Sequence, residues 1–177
     1  MLRVLLIATA LIISGTSYAL SYTKEFTEAE IQEKVSAMMP LEKKKFFVTV
    51  IFTNPIVDLL ETNNKIGIIS DINVKAPGGI KGNGKAHITG SLSYDNKKGE
   101  FYLKNPILNE LTVENLPEKH MPTVKNIAQL ALEKVTAVKP IYKLKDNNLK
   151  QKLAKSLIKS IKVEKEKLIV ELSPFGG

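Results

Sequence analysis

The 177-residue chain has no cysteine, no tryptophan, two histidines and few aromatic residues, 6% in all. The missing cysteine excludes disulfides, thiolate catalysis, cysteine-ligated zinc and a lipidated N-terminal cysteine. The scarcity of rings leaves few platforms on which single-stranded nucleic acid could stack. Past the N-terminal segment, no apolar run is long enough to cross a bilayer as a helix. A Gly-x-Ser-x-Gly elbow and an HExxH zinc signature are also lacking. The two imidazoles, His87 and His120, fall on the polar face of a strand pattern and in a proline-flanked loop. The expectation is a protein without catalytic residues, metal or cofactor.

What is present begins with an address. Arg3 supplies a positive N-terminal region, Val4 to Ile13 is almost unbrokenly apolar, and Ser17-Tyr18-Ala19 offers small residues at the cleavage site. This is the pattern of a cleavable signal peptide over residues 1–19, with an apolar run about half the roughly 20 residues of a spanning helix. Residues 20–177 then read as a single exported domain, periplasmic or secreted. The chain carries 26 Lys and Arg against 18 Asp and Glu, a formal charge of +8. On an exported protein that excess points to anionic membrane surfaces or acidic partners, with no nucleic acid expected. At 44% hydrophobic residues, the chain can fill a real core.

The pattern along the chain is helix, long strands, helices, strand. Thr27-Glu28-Ala29-Glu30 spells a capping box, and Ile31, Val35, Met38 and Met39 share one face of a helix over 28–39 that Pro40 ends. Phe46 to Thr53 reads as a strand apolar on both sides, interrupted by Pro55. From Lys65 the alternation is cleaner, with Ile66, Ile68, Ile72 and Val74 on one side, up to a Pro77-Gly78-Gly79 turn. A third strand runs from Ile80 to Tyr94. Asp95 to Gly99 turns the chain into a fourth, Phe101 to Val113, where Pro106 suggests a bulge or an edge. Pro122 opens a second helix striped with Val124, Ile127, Ala128, Ala131, Val135 and Val138. After Pro140-Ile141-Tyr142, a third helix over 148–160 is expected to bury Leu149, Leu153, Leu157 and Ile158. One last strand, Ile161 to Leu172, closes the chain, and no internal repeat is evident. The fold class expected is α+β, a long, strongly twisted antiparallel sheet wrapped around an apolar helix.

The third strand is the most unusual. Gly82, Gly84, Ala86 and Gly90 make half of its inner face nearly free of side chains. Small residues in a strand mark a bulge or the close approach of something. Either helix two packs close, or a slot remains that an acyl chain could fill at about 0.8 kcal/mol per methylene. Gly79 to Lys85 also matches the spacing of a phosphate-binding loop. Ala86 replaces the magnesium-binding hydroxyl and a strand follows instead of a helix, so the strand reading prevails. Lys152, Lys155 and Lys159 form a basic face on helix three, a candidate for contact with an anionic membrane.

The order of elements resembles the YceB-like bacterial lipoproteins over about residues 22–173. The most specific segments are Phe26 to Ile31, Asp95 to Lys104 and Pro140 to Leu144. The resemblance implies a half-barrel like that of the tubular lipid-binding (TULIP) superfamily, with an apolar groove, and brings no catalytic residues. Better-known members carry a lipobox cysteine, which is missing here.

The functional expectation is a non-enzymatic exported protein that binds a lipid or another long hydrophobic ligand between sheet and helix two. The expected wall is Ile66, Ile68, Ile72, Val74, Gly84, Ala86, Ile88, Leu92, Leu103, Val124, Ile127, Ala131 and Val135. Leucine at position 84 or 86 is expected to block uptake at small cost to folding. The alternative is a closed-core envelope-assembly or interaction protein with no ligand.

Overall fold

A computed structural model describes residues 22–60 and 64–173. The expected signal peptide lies outside the described residues. Among the described residues, nine strands and three α-helices follow one another as β1 (Tyr22–Thr27), α1 (Glu28–Ser36), β2 (Leu41–Lys45), β3 (Val48–Leu60), β4 (Lys65–Ala76), β5 (Ile80–Asp95), β6 (Glu100–Glu114), α2 (Met121–Val138), β7 (Tyr142–Lys143), α3 (Leu149–Leu157), β8 (Ile158–Glu164) and β9 (Lys167–Leu172). Strands β2 to β7 form a six-stranded antiparallel meander in sequence order, and β1, β9 and β8 form a second, three-stranded sheet. The fold is therefore α+β, with an open antiparallel sheet.

Alternation places β4 as expected. Ile66, Ile68, Ile72 and Val74 are buried and face the core, and so is Ser70, whose hydroxyl donates to the Thr53 carbonyl at 2.6 Å. Helix α2 lies across this face, with Val124, Ile127, Ala128, Ala131 and Leu132 buried, and touches β6 on one side and β2 and β3 on the other. The sheet thus curls around the helix. Pro122 sits in its first turn, where a missing N–H costs nothing. The Thr27 capping box is complete: the Thr27 N–H donates to Glu30 at 2.8 Å and the Glu30 N–H to the Thr27 hydroxyl at 3.3 Å.

Several boundaries differ from the sequence reading. Helix α1 stops at Ser36, and Leu41–Lys45 is a strand of its own. Phe46 and Phe47 are not strand residues but the two-residue turn between β2 and β3, with φ of 49° and 68°. Helix α3 ends at Leu157, leaving Leu149 and Leu153 exposed, while Ile158 begins a strand. Val138, expected on the buried stripe of α2, is 77% exposed. The expected last strand is a hairpin, β8 and β9, turned at Lys165 and Glu166 with φ of 52° and 57°. That hairpin and the unforeseen β1 build the second sheet.

The glycines of β5 do mark a close approach, but of strand β6 and not of helix α2. A Cβ on Gly84 would stand 1.8 Å from the Thr112 carbonyl oxygen, one on Gly82 2.8 Å from the Glu114 carbonyl oxygen, and one on Gly90 2.7 Å from Leu103. Strand β6 itself presses onto the inner face of β5. The glycines serve close strand coiling, not a slot.

Candidate apolar groove between the two sheets

The expected wall residues mostly form the core. Ile66, Ile72, Val74, Ala86, Val124, Ile127 and Ala131 are each at most 2% exposed, and Ile68, Ile88 and Leu103 are also buried. Val135 and Leu92 pack partly buried against them. Beside Ile68, Ile88 and Leu103 lies a void of about 20 Å³, lined also by Met38, Leu132, Thr136 and Ile141. That is room for about one water molecule. Gly84 instead borders an open polar hollow on the outer face, with Asp71, Lys85 and His87. At positions 84 and 86 the expectation of small cost to folding is therefore corrected: one meets backbone, the other a filled core.

A larger apolar space opens where the two sheets part. Phe26 of β1, Ile31 of α1, Leu92 of β5, Phe101 of β6, Ile141, Tyr142 of β7 and Leu168 of β9 line a groove of about 230 Å³. Its polar groups lie along α1 at the rim: Glu30, held by the capping box, and Glu33 and Lys34, paired at 2.7 Å. The Glu33 carboxylate holds the Lys34 ammonium above the usual lysine range. Lys34 also stands 5.7 Å from the centroid of the Tyr142 ring, joining rim to floor.

Local chemistry positions the floor. The Asp95 carboxylate accepts from the Lys97 and Lys98 amides at 3.0 and 3.1 Å, and Gly99 takes φ of 69°, so the β5–β6 turn is tight. The next residues receive the Pro140 to Leu144 segment, with the Ile141 N–H donating to Phe101 at 2.8 Å and the Leu144 N–H to Gly99 at 2.9 Å. Phe101 is gripped between Tyr94 and Tyr142, with centroids at 4.8 and 6.2 Å. The Tyr94 hydroxyl donates to the Lys155 carbonyl at 2.9 Å and ties α3 to this end. Three segments, Phe26 to Ile31, Asp95 to Lys104 and Pro140 to Leu144, thus meet at the groove.

Leu92 also backs a wider, open concavity of about 810 Å³ that contains Ser93, Lys97, Lys98, Tyr102, Lys104 and Lys159. Tyr102 donates its hydroxyl to Glu100, whose other oxygen pairs with Lys143 at 2.9 Å. The tyrosine bond, then the lysine, hold the Glu100 carboxyl below its usual range. The same bond pushes the Tyr102 phenol up to about 12. These groups are fully engaged with one another and serve to brace β6 against β7.

The predicted lysine face does not assemble. Lys152 is exposed on α3, Lys155 pairs with Asp146 at 2.6 Å, and Lys159 lies on β8, 3.6 Å from Glu171. His87 faces Glu110 at 3.7 Å on the exposed side of the sheet. Among the described residues, no cluster of three or more His, Asp or Glu could hold a metal ion.

One signal was missed. Asn54-Pro55-Ile56-Val57 and Asn105-Pro106-Ile107-Leu108 are two copies of one device. Each asparagine has positive φ, 47° and 48°, and each proline sits in a bulge of a strand with a free edge. In each, a helix glutamine completes that edge. Gln32 accepts from the Val57 N–H at 2.7 Å and donates to Pro55; Gln129 accepts from Leu108 at 2.9 Å and donates to Pro106 at 2.8 Å. The recurrence of Asn-Pro-Ile, noticed as a pair, would have revealed it.

A search of curated proteins finds no match to this chain. The family described as protein of unknown function (DUF1439) matches residues 26–167, a span that takes in the capping box, the whole six-stranded sheet, all three helices and most of the groove's lining, and the chain belongs to that family.

Proposed function

We propose that this chain is an exported, non-enzymatic binding protein that holds a lipid or another long hydrophobic molecule in the groove between its two sheets. The carrying observation is the groove itself: about 230 Å³ floored by aliphatic and aromatic side chains, with its charged groups confined to the α1 rim. Such a site rewards an apolar tail by about 25 cal/mol per Å² of surface removed from water and leaves a polar head at the mouth. Lysines 97, 98 and 104 in the adjoining concavity suit an acidic headgroup. The resemblance to YceB-like lipoproteins, the TULIP-like architecture it implies and a periplasmic location belong to this same reading.

Native mass spectrometry of the protein purified from membranes without detergent tests it. A lipid-sized adduct and uptake of a fluorescent fatty acid are expected, with uptake falling about tenfold or more for Leu92→Glu, which puts a charge on the groove floor. A clean unliganded mass together with no uptake would overturn the proposal. The second reading, a closed-core interaction or envelope-assembly protein, draws on the tight filling between sheet and α2, where Val124 and Ala131 are fully buried. It predicts that unliganded outcome.

A further inference from the structure

The β2–β3 hairpin ends in a feature that stability does not explain. Phe46 and Phe47 form its turn with φ of 49° and 68° and are 77% and 81% exposed. A turn with two positive φ values favours Asn-Gly or Asp-Gly. Bulky residues there are strained, and such strain concentrates at functional sites. Two rings that fit the turn poorly and bury almost nothing gain the fold little.

Their surroundings are cationic. Lys43, Lys44 and Lys45 lead into the turn. Among the described residues the lysines in salt bridges are Lys34, Lys85, Lys143, Lys155, Lys159, Lys162 and Lys167, so these three keep their charge unpaired. Lys45 stands 5.3 Å from the Phe46 centroid. Strand register brings Lys75 opposite Thr49 and Lys81 opposite Lys75, adding two cations at this end of the sheet. An apolar point ringed by unpaired ammonium groups complements a bilayer bearing anionic headgroups. The rings can enter the headgroup–acyl boundary while the lysine stems lie along it and their charges stay at the phosphates.

We propose that the Phe46–Phe47 turn is a membrane-docking wedge that inserts into the interfacial zone of a bilayer containing anionic phospholipid. It lies at the far end of the long strands from Leu92 and Phe101, and the proposal does not depend on the groove holding a ligand.

The chain has no tryptophan, so Phe47→Trp makes a probe whose emission reports on the turn alone. With the full chain expressed and purified, vesicles of mixed phosphatidylcholine and phosphatidylglycerol are expected to shift that emission to the blue. Brominated acyl chains are expected to quench it, and added salt to weaken the binding. The double variant Phe46→Asn, Phe47→Gly installs the residues the turn prefers and so preserves the hairpin. Its co-sedimentation with the same vesicles should fall about tenfold or more. Replacing Lys43, Lys44 and Lys45 by Gln should reduce binding to the level seen with phosphatidylcholine alone. Unshifted tryptophan emission at saturating vesicle, or an Asn-Gly variant that sediments as the parent does, overturns the proposal. A dimer that the Asn-Gly variant abolishes, with no vesicle-induced shift, would assign the turn to a second copy and overturn it equally.

Discussion

At Gly84 the position of one carbonyl decides which residue is allowed. The Thr112 oxygen occupies the place of a Cβ, at 1.8 Å, and backbone on a paired strand cannot swing aside as a flexible side chain can. Gly84→Ala should therefore lower stability by about 3 kcal/mol or more, measured by chemical denaturation, through forced separation of β5 from β6. Gly67, on β4, makes the contrast. Its nearest neighbours would be Leu60 side-chain atoms at 3.4 and 3.5 Å and the Asp58 oxygen at 3.5 Å, which is ordinary contact. Gly67→Ala should stay within about 1 kcal/mol of the parent, since a methyl that fits also restrains the unfolded chain. Equal losses at the two positions would show that strand propensity, and not the crowding by β6, governs these glycines.

Among the elements, the two helix glutamines act as pieces of strand. Each gives an edge one acceptor and one donor at the place where an Asn-Pro bulge has broken regular pairing. Gln129→Ala leaves the Leu108 amide and the Pro106 carbonyl without these bonds, and should cost about 1–3 kcal/mol. Gln32→Ala should behave alike. The two sites are separated by three strand spacings of about 4.8 Å each, so the double variant should be additive within about 0.5 kcal/mol. A large coupling energy in that cycle would mean that the edges communicate through the core. Much of this level was legible beforehand: the capping box, the period-two strands, both turns at Pro77 and Asp95, and the α2 stripe all follow from local pattern. What was not legible depended on tertiary context. Apolar periodicity in α3 could not say that Leu149 and Leu153 face water, and an apolar pair such as Phe46-Phe47 looks like strand until its φ values are known. Lys165-Glu166 offers no glycine or asparagine to announce a turn, and β1 is too polar to stand out. The groove draws its residues from both sheets, α1 and the segment after α2, and no single stretch of sequence contains its shape.

At the scale of the whole molecule, the described residues form two sheets but one main core. Ile31 of α1 and Val163 and Leu168 of the small sheet belong to the same buried cluster as Val50, Ile72 and Ala128, and the Asn64 side chain accepts from the Val163 amide at 2.6 Å across the sheets. Neither sheet can leave without stripping apolar surface from the other. Calorimetry should therefore record a single unfolding transition whose calorimetric and van't Hoff enthalpies agree, and two resolved transitions would show that the small sheet melts alone. The glutamine seals carry a consequence in time as well as in space. A newborn chain leaves the ribosome amino end first, so Gln32 has already emerged when Pro55 and Val57 follow it. Gln129 comes out after Pro106 and Leu108 and must catch up with them. For that interval the nascent β6 presents an adhesive ribbon of bare amides and carbonyls, which a holding chaperone would have to cover until Gln129 arrives.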